Sequence, residues 1–414
     1  TPYGLGPIGM GIIIPLCALM VSWWSMSFKV VGFTMFPRIE RDNVSIQLEL
    51  PAGTPSHKTE ALLHFMEDRT KEVNSSFDKG NGGPIEKIRT KIGPTTNAGQ
   101  IIIGLTPGDQ RDIRNTTITD SIRKAIGEIP EADKLTFAEG SPWGSPIDIS
   151  LRTNNLELLE EAKKQVKAQM ANMPELVDIY DSDKRGAPEI EVKLNDRAHL
   201  LGLSLQAVTA QIRQGFYGLE VQRLQNGKDE EKVWVRYKEE DRKTFQQLED
   251  MRIRLPQGEF PLRELVDFKL TNSPLVISHL DGQREIRIYA DIKSEEVSST
   301  QMIQEIRTEV LEPLMAMNPE LDYSFEGQMK TARKITRSLD TVKWIILILI
   351  FIMIVLTFRS FSQSFIVLPI LIPFSMIGVV YGHWFHGKMI SILSLLGVVA
   401  LIGVLINDSL VFIS

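Results

Sequence analysis

The sequence predicts an α-helical membrane bundle with four spans present, joined to a water-soluble α+β domain of two ferredoxin-like βαββαβ units with a module inserted in the second. Three observations predict it. Apolar residues crowd into both ends of the 414-residue chain and charges into its middle, so a mean hydropathy near zero (−0.04) hides two unlike regions. The apolar ends divide into runs near the ~20 residues that a helix needs to cross a bilayer. The middle repeats one order of strand and helix patterns twice.

The first span is placed at 8–33. Gly9 to Phe28 holds no charged residue, and Trp23 and Trp24 sit toward its far end, where amphipathic rings favour the interface. Pro15 would break a soluble helix but is tolerated in a packed membrane helix. A signal peptide is not predicted, because a basic n-region and a small-residue cleavage site are both missing.

The first α+β unit is placed at 34–140. Val44, Ile46, Leu48 and Leu50 alternate with polar residues in a half-buried strand, and Thr54-Pro55-Ser56 starts a helix with Leu62, Leu63 and Met66 on one face. Strands over Ile85–Ile92 and Gln100–Leu105, a helix over Arg111–Ile126 and a strand over Leu135–Ala138 complete β-α-β-β-α-β. The second unit begins in 141–203, with a strand at Ile147–Leu151, a helix at Asn155–Met170 and strands at Leu176–Tyr180 and Glu189–Lys193. An insertion is placed at 204–275, including strands over Lys232–Tyr237 and Leu262–Leu270. Residues 276–330 complete the unit with Glu285–Ile292, a helix over Thr300–Leu314 and Leu321–Phe325.

The remaining spans are placed at 331–359, 364–384 and 389–414. The second is apolar from Trp344 to Phe358 and draws its first turns from the preceding helix; the fourth contains Gly397 and Gly403, which permit close helix packing. The chain ends within that helix without a polar exit, so the sequence predicts a fragment of a longer protein.

A net charge of −6 gives no basic footprint, so nucleic acid is not an expected partner. The single cysteine, Cys17, excludes an intrachain disulfide. No Walker-type phosphate loop, Gly-x-Ser-x-Gly elbow or His-Glu-x-x-His occurs, and neither enzyme activity nor a cofactor is expected. The fifteen methionines invite a copper reading, but most fall in spans or on helix faces, where Met fills space, and no metal site is predicted.

Asp408 is the sharpest single residue. A charge at the centre of a span costs at least ~2.5–3.5 kcal/mol, so such an acid faces other helices or water and is placed to take up and release a proton. Asn407 beside it is suited to hydrogen bonding across helices.

Three stretches carry a resemblance. LELPAGTPSHKTEALL (48–63), PEIEVKLNDRAHLLGLSLQAVTAQIRQGF (188–216) and GVLINDSLVFIS (403–414) stand in order along a layout of one span, a large domain and three close spans. This resembles half of a resistance–nodulation–division (RND) transporter, nearest the hydrophobe/amphiphile (multidrug) efflux branch, and looks like the C-terminal half. The resemblance implies a proton-driven antiporter of the bacterial inner membrane with a large periplasmic domain. It would work as a homotrimer with a periplasmic adaptor and an outer-membrane channel and export small amphiphilic substrates. It also implies pore subdomains at 34–140 and at 141–203 with 276–330, a docking-type insertion at 204–275, and a role for Asp408 and Asn407 in the proton relay. Familiar members carry two adjacent acids in the corresponding fourth helix, whereas this chain has Asn407-Asp408.

The resemblance makes Gly93–Gly99 a loop reaching toward the substrate pocket, with Thr95, Thr96 and Asn97 as candidate contacts. It lacks the phenylalanines of familiar multidrug pumps, and an ordinary Gly/Pro hairpin is the alternative. Phe137 and Trp143 flank a Gly/Pro-rich crossover, where aromatics either line a substrate cleft or serve as core. The competing functions are a membrane-anchored periplasmic binding or sensor module and an RND relative exporting a narrow non-drug substrate.

Overall fold

The computed structural model describes residues 7–28, 30–37, 41–78, 80, 82–138, 143–256, 258–294 and 297–413. The chain divides into two compact bodies, one of Thr1–Lys184 with Leu275–Ser414 and one of Arg185–Pro274.

The larger body opens with helix α1 (Pro7–Ser27). It continues through β1 (Asn43–Glu49), α2 (Ser56–Ser76), β2 (Ile85–Ile92), β3 (Ala98–Leu105), α3 (Asn115–Ile126) and β4 (Lys134–Ala138). The sheet is antiparallel in the order β2-β3-β1-β4. Val44, Ile46 and Leu48 of β1 and Ile101, Ile103 and Leu105 of β3 point to one buried face, onto which Leu63, Met66, Ile118 and Ile122 of the two helices pack. The contact is close at Gly99, where a Cβ would lie 2.5 Å from a Leu63 methyl, so a larger residue there would make the Leu63 side chain shift. The helix expected from Arg111 begins at Asn115, after Arg114 in an extended conformation.

A second sheet begins with β5 (Ile147–Thr153), α4 (Leu156–Ala171) and β6 (Leu176–Asp181). Asn155 caps α4 by accepting a hydrogen bond from the Leu158 amide.

The smaller body intervenes in sequence. It comprises β7 (Arg185–Leu194), α5 (Asp196–Leu200), α6 (Leu205–Phe216), the hairpin β8 (Leu219–Asn226) and β9 (Asp229–Val235), α7 (Phe245–Glu249), the hairpin β10 (Arg252–Leu255) and β11 (Gly258–Pro261), and β12 (Val266–Pro274). Asn195, Ser204 and Thr244 cap its three helices. Its core gathers Val208, Leu248, Ile253, Leu262 and Leu265. The insertion expected at 204–275 thus begins earlier. The strand expected over Glu189–Lys193 lies in β7, which pairs with β12 across the base of this body and not with the second sheet. The strand expected over Leu262–Leu270 starts only at Val266, after a 3₁₀ turn at Leu262–Glu264.

The larger body resumes with β13 (Ser278–Leu280), β14 (Gln283–Ile292), α8 (Ser299–Glu305), a π turn at Ile306–Leu311, α9 (Glu312–Met317) and β15 (Asp322–Phe325). The second sheet runs β13-β14-β5-β15, with β6 also on β14. With the short edge strand β13 set aside, in both sheets the first strand lies between the third and the fourth, and the second pairs with the third. Ile147, Ile149, Leu151, Ile288 and Phe325 form its core with Leu159 and Val166 of α4.

Three helices follow: α10 (Gly327–Phe358), α11 (Phe361–Phe385) and α12 (Ile392–Ile413). Among the described residues one helix, Gly327–Leu356, is long and apolar enough to cross a membrane, and Ile392–Leu405 is a shorter apolar stretch. The segment after α1 pairs with the turn between α11 and α12: Thr34 N donates to Ile390 O and Ile390 N to Gly32 O, each at 2.9 Å.

Candidate functional site

Asp408 and Asn407 lie near the end of α12, and both are exposed in this chain. Asp408 forms no ion pair with a described residue.

The Gly93–Gly99 loop joins β2 to β3, and its three candidate contacts differ. Thr95 and Thr96 are exposed, whereas Asn97 is buried, its Nδ2 donating to the Leu50 carbonyl at 2.6 Å while the Leu50 amide donates to the Asn97 carbonyl at 2.8 Å. Thr96 Oγ1 donates to Thr54 O at 3.1 Å, and Thr59 Oγ1 to Thr96 O at 2.7 Å. The loop is pinned to the end of β1 and the start of α2.

Phe137 is a core residue of the first sheet, 3% exposed. The Arg123 guanidinium lies 4.6 Å over its ring and pairs with Asp178, whose other oxygen accepts from the Phe137 amide at 2.7 Å. Trp143 is half-buried and stacks on Phe36, ring centres 4.8 Å apart. Phe137 and Trp143 thus pack against different neighbours.

Two cavities border α10, and the sequence had not singled out the residues around them. One of about 340 Å³ is lined by Phe33, Phe36, Ile303, Met329, Arg333 and Arg337, among others. A larger one of about 910 Å³ is lined by residues that include Met26, Met329, Met389 and His383. Methionines distant in sequence thus meet around one space. The available signal was spacing: Met329, Ala332, Arg333, Thr336 and Arg337 repeat along one face of a helix.

The second sheet carries a charged cluster on the side away from its core. Arg287 faces three carboxylates: Nε is 3.0 Å from Glu285, Nη2 3.5 Å from Glu326 and Nη1 3.7 Å from Asp148. Ser150 donates to Glu285 at 2.6 Å, Ser324 to Glu326 at 3.0 Å, and Lys330 pairs with Glu326 at 2.7 Å. Burial pushes Asp148 up to about 6, only partly opposed by Arg287 and reinforced by Glu326 and Glu285. Burial acts in the same sense on Glu326, but hydrogen bonds from Lys330 and Ser324 outweigh it and hold that group below its ordinary range.

Residues 9–414 match the profile of the AcrB/AcrD/AcrF family. Among curated proteins, the chain is 24% identical over 405 residues to the cobalt-zinc-cadmium resistance protein CzcA of Cupriavidus metallidurans, covering 93% of this chain and 37% of that one. It is 22% identical over 406 residues to the putative cation efflux system protein SilA of Salmonella typhimurium, covering 95% and 38%. It is 22% identical over 334 residues to the multidrug resistance protein MdtC of Pectobacterium carotovorum, covering 78% and 32%. The chain therefore spans about a third of the length of these relatives. The crystal structure of a heavy metal efflux pump shares its fold, with a TM-score of 0.81 at 15% identity over 99% of this chain and 43% of that one.

Proposed function

The chain belongs to the AcrB/AcrD/AcrF family of RND transporters, whose members are secondary transporters and not enzymes, and from this we propose that the whole protein is a proton-motive-force-driven inner-membrane exporter of hydrophobic or amphiphilic compounds. The observation that carries the reading is Asp408, the one ionisable residue of α12. It takes up and releases the coupling proton, with Asn407 as a hydrogen-bonding support. The largely apolar cavity beside α10 supports an amphiphilic substrate.

In this reading α1, α10, α11 and α12 are four spans. The two sheets with their helices are ferredoxin-like pore subdomains, and Arg185–Pro274 is the docking module. The protein works as a homotrimer with a periplasmic adaptor and an outer-membrane channel. Thr95 and Thr96, on the exposed side of their loop, are candidate substrate contacts with Phe137 and Trp143, and Asn97, bonded to Leu50, holds the loop in place.

A second reading, export of a metal cation, is favoured by the names of CzcA and SilA and by the three methionines around the larger cavity. The test is efflux of a fluorescent amphiphile from pump-deleted cells expressing the complete protein, beside survival on zinc, copper and silver. Gradient-dependent efflux that Asp408→Asn abolishes, with assembly intact, is the expected result. Metal resistance without amphiphile efflux replaces this reading with the second, and wild-type efflux by Asp408→Asn removes Asp408 from the relay.

A further inference from the structure

We propose that Asp148 and the charged groups around it form a proton-binding site outside the apolar helices, whose occupancy sets how firmly the start of α10 sits on the second sheet. The site is separate from Asp408, and the inference does not rest on the exporter reading.

The balance of charge points to it. On the closed face of the second sheet, Asp148, Glu285 and Glu326 are all buried. Two cations face these carboxylates, Arg287 from β14 and Lys330 from α10. The other titratable groups described at this face are the phenols of Tyr180 and Tyr289, which burial keeps neutral. With every carboxylate ionised, the cluster keeps one negative charge that no cation balances. A buried charge without a partner is costly, and such a group takes up a proton instead.

The hydrogen bonds select the group that takes it. Glu285 accepts from Ser150 and lies 3.0 Å from Arg287 Nε. Glu326 accepts from Ser324 and pairs with Lys330 at 2.7 Å. Asp148 is served less well. One of its oxygens is 3.7 Å from Arg287, and the other has no hydrogen-bond partner among the described residues. The displacement of Asp148 to about 6 agrees with this choice.

Asp148 is also part of the seat of α10. Its carbonyl accepts from the Glu326 amide at 2.8 Å, the Ser145 carbonyl from the Gln328 amide at 3.4 Å, and the Gly144 carbonyl from Gln328 Nε2 at 3.0 Å. When Asp148 is ionised, it repels Glu326, the residue whose amide holds the helix to the sheet. Protonation removes that repulsion. The seat is therefore firm at low pH and loosens as pH rises through about 6. Lys330 precedes Trp344 by fourteen residues, about 21 Å along a helix axis, so the site stands clear of the apolar run.

The test is hydrogen–deuterium exchange of the complete protein in phosphatidylcholine nanodiscs, read at the Glu326, Gln328 and Lys330 amides. Rates are corrected for intrinsic exchange and referenced to β1 and β3. Wild type is expected to protect these amides about tenfold more at pH 5.0 than at pH 7.5. Asp148→Asn, which imitates the protonated acid, is expected to hold them within about twofold at the two pH values. Glu285→Gln balances the cluster with Asp148 ionised and is expected to shrink the step to about threefold or less. It also decides the matter if Asp148→Asn fails to assemble. A wild type without the step overturns the proposal. So does a step that survives Asp148→Asn, which belongs to another group, or one that Glu285→Gln leaves unchanged.

Discussion

The strands β1 and β5 occupy the same place in their sheets, each between the third and fourth strand of its unit, and both read as half-buried alternations. Their outer faces differ. Ser45, Gln47 and Glu49 of β1 are half-buried and take one partner each, from Gln100 at 2.7 Å, Lys134 at 3.0 Å and Lys184 at 2.5 Å. Asp148, Ser150 and Arg152 of β5 are 6%, 0% and 9% exposed. Asp148 and Ser150 belong to the Arg287 cluster, and the Glu326 amide before α10 donates to the Asp148 carbonyl at 2.8 Å. Gly327 follows at φ +53°, where a Cβ would meet Ser145 O at 2.9 Å and Asp148 Cβ at 3.0 Å. One connectivity therefore gives a sheet with a half-buried outer face and a sheet whose outer face is closed, charged and joined to the long apolar helix.

The comparison predicts where each sheet breaks. The apolar face should behave alike in both, so Phe325→Ala in the second and Ile103→Ala in the first should each cost about 3–5 kcal/mol by leaving a cavity among fully buried side chains. Urea unfolding of the purified protein reads the cost, and a loss below about 1 kcal/mol at either position would mean that its core is not close-packed. On the outer faces the two sheets should part. Arg287→Met leaves Asp148, Glu285 and Glu326 without the cation they share, at a cost of about 3 kcal/mol, since Arg287 is itself about a third exposed. Lys134→Met on the first sheet removes the bond to Gln47 and the contact of the ammonium with the Tyr180 ring, 4.4 Å away, and should cost about 1 kcal/mol. Equal losses would erase the distinction.

What the sequence shows of this fold follows the same division. Strands with one apolar face are legible because the alternation of Val44, Ile46 and Leu48, or of Ile147, Ile149 and Leu151, is local. Helix starts are legible at Asn155 and Ser204, whose side chains accept from amides three residues on, whereas the helix expected from Thr300 is capped earlier, by Ser298. The charged cluster is not, because Ser150 and Glu285 meet across 135 residues and nothing near Asp148 in sequence announces burial on both sides of β5. β7 is a strand in both readings, and only its partner β12 places it in the smaller body. Asp408 stands out in the sequence because an acid in an apolar run needs no tertiary information to notice, whereas the cavity beside α10 is lined from four separated stretches.

Asp148 supplies the next test. Its folded pKa near 6 lies above the ordinary carboxylate value, so the folded state binds the proton more tightly than the unfolded chain. The favourable contribution is present in full below about pH 4, is lost as pH rises toward 6, and is level above that. The ceiling is about 3 kcal/mol for a shift of some two units, and local relaxation lowers the expected effect to about 2 kcal/mol. Asp148→Asn should remove this step and leave the protein more stable than wild type at pH 7.5. Glu326, held below its ordinary range, acts in the opposite sense, so the quantity to follow is the difference in Tm between variant and wild type from pH 5 to 7. A constant difference across that range would show that the closed face is hydrated in solution.

The smallest expected effect separates support from contact in the β2–β3 loop of the first sheet. Asn97→Ala takes the donor from the Leu50 carbonyl in a buried site and should cost about 1 kcal/mol. Thr95→Ala removes an exposed hydroxyl and should leave stability within about 0.5 kcal/mol. Efflux by the complete protein then discriminates. A loop that touches substrate makes Thr95→Ala alter efflux of some compounds at unchanged stability, because the side chain lies on the accessible side. A loop that only closes the end of β1 makes efflux follow stability alone, with Asn97→Ala impaired and Thr95→Ala like wild type. In that case the loop is a scaffold for the end of β1, and Thr95 is no substrate contact.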